Sequence, residues 1–243
     1  MDSIAEDLKL ICQHEGSAEK VTVIPRIEST LSLDRILIGS FYIDSLEMAP
    51  SARLILTKEN PSAVFPEKPV IFRPLFWFPR NMGSPAFYNY KALFFKNGKE
   101  DFSITMRDGF SLPEVEYNEN EVRFTLQGKP LSLRRFVPAP QEEEELRSAV
   151  RSDKKANFFL LPAGKEELWE NLLALCDTYG IAAALSLPEG MTFRDLPREL
   201  FTHPSLLFLF STSLASGEKE EHILHPLRKL VTLPHTLLGD LLT

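Results

Sequence analysis

Cysteine is nearly missing from this chain. Its 243 residues include two, Cys12 and Cys176, with no Cys-x-x-Cys pair and no Cys/His cluster at zinc-ligand spacing. Neither a disulfide framework nor a structural zinc is therefore expected to hold the fold together. Long apolar runs are missing too. Leu206 to Phe210 falls far short of the roughly 20 residues that a spanning helix needs. The start, Met1-Asp2-Ser3-Ile4-Ala5-Glu6-Asp7, is acidic and has neither the basic region nor the apolar core of a secretory signal. These absences read as a cytoplasmic chain with no membrane partner.

The signatures of common chemistries are absent as well. No G-x-S-x-G elbow surrounds Ser186, Ser205, Ser211 or Ser213. No G-x-G-x-x-G marks a dinucleotide site. The turn Pro162-Ala163-Gly164-Lys165 lacks the upstream glycine of a phosphate loop, and Glu166 beside Lys165 repels a phosphate. Glu221, His222 and His225 fall at i, i+1 and i+4 of an expected helix, but Pro226 follows at once and the order is not H-E-x-x-H. Solvated surface histidines are the simpler reading. Cys176 sits on the apolar face of its expected helix, where a thiol is inert. No cofactor, no metal and no catalytic residue is expected, and the sequence leans away from an enzyme.

What is there is an ordinary globular composition, 44% apolar and 25% charged, enough to bury a core. The net charge of −7 argues against a general nucleic-acid or anionic-membrane binder. One window departs from it. Lys68 to Lys99 carries six basic residues, nine aromatics and no acid, so the rest of the chain carries −13. Arg73, Trp77, Arg80 and Lys91 in this belt, with Lys165 at the strand-to-helix turn, are the candidate binding residues. Aromatics beside Arg and Lys suit stacked bases, but adjacent Phe94 and Phe95 on a strand must split between two faces. Packing is the stronger reading of the belt.

The period of the apolar residues sets the architecture. Ser3 and Glu6 have capping-box spacing, and Ile4, Leu8 and Ile11 repeat at helical intervals, which predicts a short leading helix. From Val21 the pattern is that of strands, at Leu31–Tyr42 and Ala52–Thr57. Six prolines between Glu59 and Pro85 forbid a long helix or a central strand there, leaving one short edge strand at Val70–Phe72. Asn97-Gly98 between Lys91–Lys96 and Asp101–Met106 is a hairpin signal. Val115–Tyr117, Glu121–Leu126 and Leu131–Val137 continue the strands. Pro138-Ala139-Pro140 then ends them, and an acidic run at Glu142–Glu145 starts a short exposed helix. Beyond it, apolar runs at Asn157–Leu161, Ile181–Leu185 and Leu206–Phe210 alternate with helical patterns at Glu166–Tyr179, Thr192–Leu200 and Glu218–Leu230.

The expected fold is an α+β two-part chain. Residues 1–137 form a mostly antiparallel β barrel or sandwich with the leading helix. Residues 138–153 are a linker and short acidic helix. Residues 154–243 form a small α/β layer with a three-stranded, mainly parallel sheet. The expected function is a non-catalytic cytosolic protein-interaction, regulatory or assembly protein, whose partner is another protein. The alternatives are a nucleotide- or phosphometabolite-binding protein or enzyme using the C-terminal α/β domain, with an anionic small molecule as partner, and behind it a single-stranded nucleic-acid binder through 68–99. Nucleic acid is the disfavoured partner.

Overall fold

The computed structural model describes residues 4–117, 122–137, 139–162, 164–187, 196–215, 218–224 and 230–234. The chain divides into two compact units. Unit 1 is Met1–Leu75 with Phe87–Asp108, and unit 2 is Phe76–Ala86 with Gly109–Thr243. The basic-aromatic belt is thus shared: its middle, 76–86, belongs to unit 2 and its two ends to unit 1.

Unit 1 is built from β1 (Leu8–Gly16), β2 (Lys20–Ser29), β3 (Arg35–Ile43), β4 (Leu46–Leu56), β5 (Ser62–Val64), β6 (Val70–Phe72), β7 (Tyr88–Lys96) and β8 (Lys99–Asp108). They make two antiparallel sheets, β1-β2-β5 with β6 also on β2, and β4-β3-β7-β8. Alternation buries Val21, Val23 and Ile27 from one sheet and Phe41, Ile43, Tyr90, Ala92 and Phe94 from the other. Phe41 meets Phe65 and Tyr90, each at 5.8 Å between ring centroids.

Proline shapes the first sheet. β6 pairs with β2 at Lys20–Thr22 and β5 pairs with it at Arg26–Glu28. Pro25, without an N–H to give, sits between these two stretches and accepts from Phe65 N at 3.0 Å. Within unit 1, two hairpins rest on positive φ. Asn97 and Gly98 (54° and 74°) join β7 to β8, as the sequence predicts, and Asp44 and Ser45 (47° and 72°) join β3 to β4.

The leading helix is corrected. Ile4–Asp7 is a single 3-10 turn, and β1 follows directly. Leu8, Leu10 and Cys12 also alternate at period 2, and all three are buried. Nine backbone partners on β2 outweigh a helix that could bury one face only.

Unit 2 opens with a three-stranded antiparallel sheet of β9 (Pro113–Tyr117), β10 (Val122–Leu126) and β11 (Lys129–Pro130). Its second sheet holds β12 (Phe158–Leu161), β13 (Ala182–Leu187), β14 (Leu206–Ala215), β15 (Glu218–Leu224) and β16 (Leu230–Pro234), in that order. β12, β13 and β14 are parallel, as their continuous apolar runs suggest. β15 and β16 are antiparallel. The helix expected at Glu218–Leu230 is therefore corrected to a strand and the start of another. The ladder β15 makes with β14 decides this over local charge pattern.

Two helices lie in unit 2, α1 (Glu143–Ser152) and α2 (Trp169–Tyr179). α2 buries Trp169, Leu172, Leu173 and Cys176, at i, i+3, i+4 and i+7. Gly180 ends it at φ 65°, the left-handed cap that glycine adopts without strain. Of the helix expected at Thr192–Leu200, residues 192–195 lie outside the described residues; the remainder is corrected to a 3-10 turn at Arg198–Thr202. No helix among the described residues is long and apolar enough to cross a membrane.

Candidate functional site

The C-terminal helix end of α2 gathers a polar cluster. Asp177 lies in the last turn, where a carboxylate opposes the helix dipole. The geometry supplies compensation. His203 Nδ1 donates to Asp177 Oδ2 at 2.7 Å, and Ser205 N donates to Oδ1 at 3.0 Å. Ser205 is fully buried, with its hydroxyl on the Leu173 carbonyl at 3.4 Å. Asp, His and Ser here are not a nucleophilic triad, because the serine hydroxyl faces helix backbone rather than the imidazole. The cluster clamps the turn that feeds β14. Sequence reading missed it, since Asp177 and His203 are 26 residues apart and form no local motif.

Segment 76–86 is anchored at the same end of α2. Trp77 is fully buried, and its Nε1 donates to the Asp177 carbonyl at 3.1 Å. Arg80 N donates to Gly180 O at 2.8 Å. The Arg80 guanidinium donates to the carbonyls of Val150, Asp153 and Ala156, closing the end of α1 and the turn after it. Asp153 Oδ1 accepts from Lys155 N and Ala156 N, and these bonds hold its carboxyl below the usual range. Replacing Arg80 by Ala is expected to cost unit 2 about 3 kcal/mol, because three carbonyls lose a cationic donor. Lysine, a point charge, is expected to restore less than half of this. Both tryptophans, Trp77 and Trp169, belong to unit 2, so the midpoint of urea unfolding by tryptophan fluorescence reads the loss. An unchanged midpoint for Arg80→Ala would refute the assignment.

The other candidate residues take separate places. Lys165 follows Gly164 (φ 73°) and gives its ammonium to Gln141 O at 3.2 Å. Arg73 is exposed in unit 1 with φ 49°, its N–H on Glu19 O. Lys91 stands half-buried on the outer face of β7 in unit 1 and lines a cavity of about 650 Å³ with Tyr42, Asn89, Thr105 and Arg107. Trp77 and Arg80 are the two that come together. Glu221 and His222 lie on β15 rather than a helix, and His225 is outside the described residues, so their helical spacing no longer applies. Among the described residues no three His, Cys, Asp or Glu side chains form a metal-sized group. The thiols of Cys12 and Cys176 are both pushed well up, chiefly by burial.

The parallel layer carries its own implication. In open α/β sheets, ligands sit at the carboxyl ends of the strands. Here those ends are Leu161, Leu187 and the second half of β14. The strands themselves contain no Asp or Glu. The acidic residues that follow them in the chain are Glu166 and Glu167 after β12, Glu189 after β13, and Glu218 after β14.

No protein-family model and no curated protein matches the sequence. Solved structures do match the fold. The chain is similar to an exo-chitosanase of Amycolatopsis orientalis, with TM-score 0.60 and 16% identity over 84% of this chain and 28% of that one. It is similar to a β-glucuronidase of Parabacteroides merdae, with TM-score 0.59 and 18% identity over 84% of this chain and 29% of that one. A β-glucuronidase of Bacteroides uniformis follows with TM-score 0.58 and 18% identity, covering 85% and 27%. The chain thus spans under a third of the length of these structures, and shares their fold. They are glycoside hydrolases. That likeness corrects the expectation of a non-catalytic protein-interaction, regulatory or assembly protein.

Proposed function

We propose that this chain is a glycoside-hydrolase domain acting on β-linked sugars, with the saccharide at the carboxyl ends of β12, β13 and β14. The observation that carries the reading is the fold itself, matched over 84% of the chain to an exo-chitosanase. The parallel layer supports it, since such layers present ligands at that end. Glycoside hydrolysis works through two carboxyl groups, an acid and a nucleophile or base, flanking the scissile bond. The strands offer none, so we assign the acid to a residue that follows one of them in the chain. Glu189, two residues past the end of β13, is our choice for that role.

The test is hydrolysis of p-nitrophenyl β-D-glucosaminide, the ligand of one exo-chitosanase structure, and of p-nitrophenyl β-D-glucuronide. We expect release of p-nitrophenol from at least one. We expect Glu189→Gln to lower kcat by about 100-fold or more, the usual worth of a general acid. A cyclophellitol-6-carboxylate aziridine binds covalently in a Bacteroides uniformis β-glucuronidase, and labelling by it would report a nucleophile independently. No turnover of either substrate together with no labelling would refute the proposal.

A further inference from the structure

The outer face of β7 and β8 in unit 1 carries a second site, remote in chemistry from the parallel layer. Its register is explicit. Tyr42 on β3 pairs with Lys91 on β7, and Lys91 pairs with Thr105 on β8. One step along, Asn89 pairs with Arg107. Directly paired residues share a face, so a phenol, an ammonium and a hydroxyl form one row, and an amide and a guanidinium the next. Past a register shift between Phe94 and Phe95, Glu100 closes the far end. The open cleft so formed has a volume of about 650 Å³, within the range of small-ligand sites.

Two features make this more than a solvated face. The Arg107 guanidinium lies 3.9 Å from the centroid of the Phe87 ring, which fixes its plane and leaves its N–H edge for a bidentate acceptor. Asp44 Oδ1 accepts from both the backbone N–H and the side-chain amide of Asn89, at 2.9 and 3.1 Å, so that the amide is held in place. Lys91 and Arg107 are diagonal neighbours across the pair of strands, roughly 7–8 Å apart at their roots. Two cations at that separation on a rigid sheet suit a carboxylate. The phenol, amide and hydroxyl between and beside them suit a sugar ring with its hydroxyls.

We infer that this face binds an acidic oligosaccharide, one bearing uronate carboxylates, through Lys91, Arg107, Asn89 and Tyr42. The site is independent of any hydrolysis by unit 2. The experiment is isothermal titration calorimetry of the whole chain with a hyaluronan hexasaccharide, with a neutral chitin hexasaccharide and inorganic phosphate as comparisons. We expect heat of binding with hyaluronan, weakening as salt rises, and none with the neutral chain. The double variant Lys91→Gln/Arg107→Gln removes two charge-assisted contacts at half-buried and exposed positions. It is expected to keep the wild-type melting temperature and lose affinity by at least about tenfold. No binding of hyaluronan, equal binding of the neutral hexasaccharide, full competition by phosphate, or wild-type affinity in the folded double variant would each overturn the assignment. Because the readout is binding, a negative result here leaves the hydrolysis assay untouched, and the reverse.

Discussion

Trp77→Ala is expected to unfold much of unit 2 at 37 °C. The side chain is fully buried, its Nε1 donates to the Asp177 carbonyl at 3.1 Å, and its backbone N donates to Phe110 O at 2.7 Å. Truncation removes the ring, leaves a cavity, and strips a donor from the end of α2. Large aromatic-to-alanine changes cost about 3–5 kcal/mol, and the Asp177 carbonyl is left with only its longer bond from Gly180 N at 3.4 Å. A domain has about 5–15 kcal/mol in total, so the loss is a large share of it. The surroundings offer no easy collapse. A Cβ on Gly109 would already stand 2.6 Å from Ala86 O and 3.3 Å from Trp77 Cβ, which shows how closely the chain passes there. Trp169 remains as the fluorescence reporter, so urea midpoints of wild type, Trp77→Phe and Trp77→Ala can be compared directly. Phenylalanine keeps most of the volume and loses the N–H; it is expected to cost about 1–2 kcal/mol. An Ala variant within about 1 kcal/mol of wild type would show that segment 76–86 is a passive loop.

The way Trp77 is used shows what the sequence made legible and what it did not. That part of the belt packs was readable, because adjacent aromatics on strands must divide between faces: Trp77, Tyr90 and Phe94 are buried, whereas Phe72 is 74% exposed. That its middle joins one unit and its ends another was not, because prolines report only what a segment cannot become. Local chemistry was read well. Asn97-Gly98 needs positive φ and is where expected. The three parallel strands announce themselves as unbroken apolar runs. The failures lie where two periods compete. Leu8 and Ile11 fit a helix, yet Leu8, Leu10 and Cys12 fit a strand, and only the partner β2 decides. Glu218–Leu224 has no clean alternation and is fixed by pairing with β14. The Asp177–His203–Ser205 clamp is a contact between a helix end and a distant turn, so no window of sequence contains it.

The second large effect is a loss of stability in acid, centred on His14 of unit 1. Its Nε2 lies 3.2 Å from the Tyr90 hydroxyl and 3.7 Å from Asp108 Oδ2. Burial pushes the imidazole down to about 3, outweighing the carboxylate beside it. Tyr90 is pushed well up, chiefly by burial and then by Asp108, so its hydroxyl stays protonated and can donate to the ring. In the unfolded chain the same histidine titrates near 6.5. A group depressed on folding contributes stability that is complete above its unfolded value and is lost as pH falls toward its folded one. The window is therefore from about pH 6.5 down to about pH 3, and the loss is of the order of a few kcal/mol. His14→Gln keeps an amide for Tyr90 and does not titrate. It is expected to cost about 1 kcal/mol at pH 7 and to lose far less than wild type between pH 7 and pH 4. Unit 1 contains no tryptophan, so near-ultraviolet circular dichroism of its tyrosines is the readout, taken as urea midpoints across the pH series. Parallel slopes for wild type and His14→Gln would mean that the imidazole titrates alike in both states. Burial would then not be the force that sets this cluster.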